Sequence, residues 1–309
     1  MLVFATSDKG GTGRSVTSSN IAYRRAVQGG DVCYLDFDFG SPTAGAIFNI
    51  PAALHGTRNG GLHSYLHGEL NDPEQLNVWS ESERMALRDQ PSGAGRLVLF
   101  PGDAGGGEFP ANPDANADIV QRCVRLLLQL EEEFELCLVD LSAGRSYAIQ
   151  MVLAATAQPQ LRPVTTRWLV FHRWTRQHII AASSLVNDDQ GILTTGVDLG
   201  HDRDALTDSI RFVRTAVVDP DSPELEGLRP EQVAWLREVN RDLHELARRY
   251  KLGRSLMLGS VPLDPVLQWR EQLISDEDTY ASQIANQETV DAFETLAKRL
   301  VDDAAWRGL

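Results

Sequence analysis

The sequence predicts an α/β fold, a doubly wound and mostly parallel sheet with helices on both faces. Short apolar runs of strand length alternate with longer amphipathic stretches along most of the chain, the pattern of strands joined by helical crossovers. A glycine-rich turn, Lys9-Gly10-Gly11-Thr12-Gly13-Arg14-Ser15, joins the first apolar run to the first amphipathic one. Acidic residues close two further apolar runs, at Asp36 and Asp140. In an open α/β sheet that end of a strand borders the ligand crevice.

Leu2-Val3-Phe4-Ala5 has the length and composition of a buried strand, and a helix opens at Ser15-Val16. Between strand and helix, successive backbone N–H groups form an anion-binding nest and the helix N-terminus adds positive dipole. The Ser15 hydroxyl can be offered to a magnesium ion. The generic phosphate-loop pattern G-x-x-x-x-G-K-[ST] nevertheless fails at both ends, because Asp8 stands in the place of the first Gly and Arg14 in the place of the Lys. The helix stops at Gly29-Gly30, and residues 31–36 form a second strand that runs into Asp36-Phe37-Asp38-Phe39-Gly40-Ser41-Pro42. A polar turn capped by Asp would leave the same trace in the sequence.

Residues 51–107 are rich in Gly, Pro, Asn and acidic residues, with a helical segment at 61–66 and a strand at 96–100. His63 and His67 have the i, i+4 spacing of metal ligands, but no third ligand is suitably spaced, so a solvated helix face is expected. Ala104-Gly105-Gly106-Gly107 lacks a following Lys-Ser or Lys-Thr pair and is read as a loop without a ligand. Residues 116–133 give a helix with Ile119, Val120, Cys123, Leu126, Leu127 and Leu130 inward. A strand over 134–140 then closes on Asp140-Leu141-Ser142-Ala143-Gly144.

Strands at 167–171 and 212–218 flank a helix near 175–186, and 187–208, with many Asp and Gly residues and little periodicity, reads as a surface insertion. The helix at 230–252 alternates Arg237, Arg241 and Arg248 with Glu238, Asp242 and Glu245, which suits a solvated face better than a DNA-binding stripe. A last strand over 255–260 leads into Val261-Pro262-Leu263-Asp264-Pro265, and 289–306 is amphipathic with Asp and Glu on its polar face. That composition suits packing on its own domain rather than gripping a membrane.

At Lys9–Ser15, Asp36–Pro42, Asp140–Gly144 and Val261–Asp264 the chain resembles the ParA/MinD family of P-loop ATPases with a deviant Walker A motif, K-G-G-x-G-K-[ST]. Only Arg14 departs from that pattern. The resemblance implies a single nucleotide-binding domain over 1–309, with variable insertions near 51–107 and 187–208, and ATP with Mg²⁺ as cofactors. It implies that Gly10, Gly11, Thr12, Gly13, Arg14, Ser15 and Val16 cradle the phosphates, that the Gly144 amide senses the γ-phosphate, and that Pro262 and Asp264 lie at the base. Ser15, Asp36 and Asp140 would place the metal, directly or through water, and Asp38 would orient the attacking water. Lys9 would reach across a homodimer that sandwiches ATP. Two outcomes are open for Arg14: it grips the phosphates in its own way, or the site holds nucleotide without efficient turnover.

Composition narrows the setting. Forty-two per cent hydrophobic and 23% charged residues over 309 positions are ordinary for a globular protein. The formal charge of −14 disfavours nonspecific DNA or an anionic membrane as partner. With neither a leader pattern nor a spanning apolar run, a cytoplasmic protein is expected. Cys33, Cys123 and Cys137 form no C-x-x-C pair and read as buried free thiols, which weighs against paired thiolates for an iron–sulfur cluster. Cationic positions are almost all Arg, yet one of the few lysines stands at position 9. The expected role is an ATP-dependent dimerisation switch, a slow ATP hydrolase, that regulates or positions an unidentified protein partner or cargo. A nucleotide-binding scaffold with little hydrolysis and a DNA-partitioning ATPase are the alternatives.

Overall fold

The computed structural model describes residues 1–88, 90–107, 109, 113–222 and 227–307. Its strands are β1 (Leu2–Thr6), β2 (Val32–Phe37), β3 (Leu76–Asn77), β4 (Leu97–Phe100), β5 (Leu136–Leu141), β6 (Thr166–Arg173), β7 (Ile210–Val217) and β8 (Met257–Pro262). They form an eight-stranded sheet in the order β3-β4-β2-β5-β1-β6-β7-β8. Every pairing is parallel except the short β3 against β4. The helices are α1 (Arg14–Val27), α2 (Ala44–Ile47), α3 (Leu62–His67), α4 (Val78–Glu81), α5 (Met85–Arg88), α6 (Pro113–Glu133) and α7 (Tyr147–Thr156). Beyond them lie α8 (Arg176–Asn187), α9 (Ile192–Asp198), α10 (Arg203–Asp208), α11 (Pro230–Arg249), α12 (Pro265–Trp269) and α13 (Gln287–Val301).

Alternation along the strands builds two cores. In β1, Leu2 and Phe4 point to one face while Val3 and Ala5 point to the other. The first face carries α3, α6, α7, α8 and the buried edge of α11. The second carries α1, α2, α4 and α13. Strands covered on both sides read as unbroken apolar runs, which is why the sequence marks them so clearly. The three cysteines are buried free thiols.

Helix α1 is buried on nearly all sides because it is wedged between the sheet and α13. Its Asn20 closes both polar gaps this creates, donating to the Gln272 carbonyl at 3.1 Å and accepting from the Ile274 N–H at 2.7 Å. The apolar stripe of α13, with Val290, Phe293, Leu296 and Leu300, is buried against α1 and β8. Two buried arginines tie down the chain beyond it: Arg167 donates to the Leu300 carbonyl, and Arg211 donates to the Trp306 carbonyl at 2.6 Å. Among the described residues, no helix is long and apolar enough to cross a membrane.

Two stretches differ from the sequence expectation. Residues 187–208 hold α9 and α10, whose Ile192, Leu193 and Leu206 join the core, with Leu206 packed over Gly196. Each helix is too short to display a periodicity. His63 is buried rather than solvated: its Nε2 meets the Gly107 carbonyl at 2.8 Å, and the rings of His63 and His67 both stack on Phe109. The i, i+4 pair therefore packs Gly107 and Phe109 onto α3.

Candidate functional site

The glycine-rich turn leaves β1 at the centre of the sheet and enters α1 through two left-handed residues, Gly11 at φ +69° and Gly13 at φ +75°. A side chain would strain the backbone at both, and Gly13 is itself the N-cap of α1. The first N–H groups of α1 therefore face the end of the sheet without a side-chain cap. Below the turn, Thr215 donates its hydroxyl to the Thr12 carbonyl at 2.5 Å. Thr215 reaches it because β7 carries one extra residue against β8 between Arg214 and Val217, and Ala216 absorbs the bulge at φ +51°. Thr215→Val, nearly isosteric, is expected to cost about 1–2 kcal/mol in chemical denaturation, by loss of that buried hydrogen bond.

Beside the turn lies a cavity of about 220 Å³. Gly11, Thr12, Gly13, Val16, Pro262 and Asp264 line it, all singled out from sequence, together with Arg173, Thr215, Ala216 and Leu267. Arg173 is the final residue of β6, and a strand's carboxyl end is a signal that would have found it; Thr215, inside a strand pattern, gave none. Lys9 is exposed at the tip of the turn. His178 is held below its ordinary pKa by burial first, and then by the charges of Lys9 and Arg173.

Arg14 does not line this cavity. Its side chain folds the other way, 6% exposed, into the acids at the ends of β2 and β5. Nε donates to Asp140 Oδ1, and one terminal nitrogen donates to Asp38 Oδ2 at 2.7 Å and to Ser15 Oγ at 3.3 Å. Burial opposes the guanidinium's charge, but Asp140 and then Asp38 override it and raise its pKa further. Asp36 stands next to them and accepts from the Ala44 N–H at 2.9 Å and the Asp38 N–H at 3.2 Å. Burial, followed by the charge of Asp140, pushes Asp36 up to about 8. Asp140 is also raised by burial, with Arg14 acting against that rise.

The metal assignment of Ser15, Asp36 and Asp140 does not fit this arrangement. The Asp140 and Ser15 oxygens accept from Arg14, and the Asp36 carboxyl accepts from two backbone donors. Asp38, expected to orient water, is ion-paired to the same guanidinium. The Gly144 N–H, expected at a γ-phosphate, donates to the Ser7 carbonyl at 2.8 Å. Asp264 borders the cavity, but its carboxylate accepts from Val266 N, Asn286 N and Thr289 Oγ1 and so anchors the chain.

At the level of sequence, no family model and no curated protein matches the chain. Among solved structures it is similar to a plasmid partition protein from Borrelia burgdorferi bound to AMPPNP, at TM-score 0.61 and 12% identity, covering 97% of this chain and 97% of that one. A chain of a MinC:MinD cell division protein complex from Aquifex aeolicus gives TM-score 0.57 and 16% identity over 97% of this chain and 94% of that one. MinD complexed with Mg-ADP from Pyrococcus horikoshii gives 0.53 and 13% over 98% of both. A mostly parallel sheet with a glycine turn leaving its central strand, superposing along almost the whole chain on these proteins, establishes that the chain has the MinD/ParA-type P-loop NTPase fold.

Proposed function

We propose that the chain is a nucleotide-operated dimerisation switch of the ParA/MinD type that regulates or positions a protein partner or cargo. The observation that carries this reading is the exposed Lys9 at the tip of an uncapped helix-entry turn, beside a cavity walled on its far side by Val261 and Pro262. A nucleoside triphosphate, ATP by resemblance, would lay its phosphates on the N–H groups of Gly11 to Val16 and its base side toward Pro262. Arg173 would add charge from the sheet, and Lys9 would reach a second copy. The similar structures bound to AMPPNP and complexed with Mg-ADP support a nucleotide in this fold, and the MinC:MinD complex supports a protein partner.

Held by Arg14, Asp38 is not free to orient water, which favours the variant of this reading in which nucleotide is held and turned over slowly or not at all. Nonspecific DNA is the weaker partner at a charge of −14. Light scattering with and without a slowly hydrolysed ATP analogue tests the switch. Wild type is expected to pass from monomer to dimer, and Lys9→Ala to bind nucleotide yet stay monomeric. An unchanged mass for wild type, or a dimer from Lys9→Ala, would remove the basis for the reading.

A further inference from the structure

We infer that the Arg14 guanidinium takes the place of a divalent cation among Asp38, Asp140 and Ser15, so that phosphate binding at this turn needs no divalent ion. The inference concerns the acidic cluster itself, and its nucleotide arm rests on the function proposed above.

The geometry is that of a protein-held cation. Arg14 is the first residue of α1, immediately after the left-handed Gly13, and from there its side chain turns into the sheet end rather than into the cavity. Its planar fork meets two carboxylates and a hydroxyl from different elements: Asp140 from β5, Asp38 from the loop after β2, and Ser15 from α1. Charge-assisted bonds of this kind, with both Arg14 and Asp140 buried, are among the strongest a side chain can make.

A magnesium ion requires near-octahedral oxygen ligands at roughly 2.0–2.1 Å and usually keeps several waters. To reach Asp140 it would have to displace the guanidinium from both carboxylates, leaving a cation to be housed elsewhere. A metal at Asp36 would have to share its two oxygens with the Ala44 N–H and the Asp38 N–H, from which they already accept. Lysine at position 14 would bring a compact point charge with no fork to bridge both carboxylates, so the Arg at this position is what converts the cluster.

The consequence is an inverted dependence on metal. At a site of this fold that uses a divalent ion, chelation removes a charge the phosphates need. Here Asp38 and Asp140 already hold a cation that is part of the chain, so chelation takes nothing from the cluster.

The test titrates Mn²⁺ alone, followed by electron paramagnetic resonance and thermal unfolding, into wild type and Arg14→Lys. Wild type is expected to bind no Mn²⁺ and to shift its midpoint by less than about 1 °C, whereas Arg14→Lys should gain a bound ion and a rise of several degrees. Mn²⁺ bound by wild type as well as by Arg14→Lys, or by neither, would overturn the inference. If Arg14→Lys does not fold, wild type decides alone: a fluorescent ATP analogue should bind within about threefold as tightly in EDTA as in Mg²⁺, and a loss of more than about tenfold in EDTA would overturn it. Failure to bind the analogue in either buffer would count against the proposed function, and the Mn²⁺ titration would still decide the charge replacement.

Discussion

Arg14→Met is expected to lower stability by about 3–5 kcal/mol near pH 8, the magnitude for breaking a buried ion pair by removing one partner. The methionine fills most of the volume, so the loss is electrostatic: Asp140, 1% exposed, keeps no compensating cation, and Asp38 loses its donor. The pH dependence follows from the direction of the Asp140 shift. Burial already raises this carboxyl in the folded protein against the pull of Arg14, and without Arg14 it rises further. A carboxyl raised on folding contributes most below its unfolded value, roughly pH 4, and that contribution is lost as pH climbs through the folded value. The deficit of Arg14→Met should therefore be small near pH 5 and grow through neutrality. Urea denaturation at both pH values measures it; a variant equal to wild type at pH 8 would show that Arg14 is not the cation the cluster depends on.

This arrangement explains where sequence reasoning succeeded and where it stopped. The fold was legible because a parallel sheet covered on both faces leaves apolar runs such as Leu136–Leu141, and because Gly11 and Gly13 sit where φ is positive. The residues of the cluster were legible too, as acids at strand ends. What they do to one another was not. Arg14 meets Asp38 across 24 positions and Asp140 across 126, and no local pattern records whether a side chain at the start of α1 turns toward the cavity or into the sheet. The resemblance supplied a role for each residue separately, and the structure joins Arg14, Asp38 and Asp140 by hydrogen bonds that those roles do not include. Arg173 and Thr215 were missed for a related reason: one lies beyond the apolar run that marked its strand, the other is placed by a bulge the sequence does not announce.

The second large effect is expected at Asp264, where Asp264→Ala should cost about 3–5 kcal/mol, the sum of a lost N-cap and of one part-buried and one buried donor left without an acceptor. Position 264 was assigned to the base side of a nucleotide by resemblance, and it does border the cavity. Yet the side chain is 1% exposed, and its oxygens accept from Val266 N at 3.0 Å, Asn286 N at 2.9 Å and Thr289 Oγ1 at 2.8 Å. One carboxylate thus starts α12 and fixes the entry of α13, the helix that covers α1 and β8. The two roles separate by experiment. If Asp264 is an anchor, Asp264→Ala loses stability in denaturant while the folded fraction binds the ATP analogue within about threefold of wild type. If it is a ligand contact, the order reverses, with affinity falling at near-normal stability. Three donors on one buried carboxylate favour the first outcome, because the same side chain that borders the cavity beside Pro262 joins the start of α12 to the start of α13.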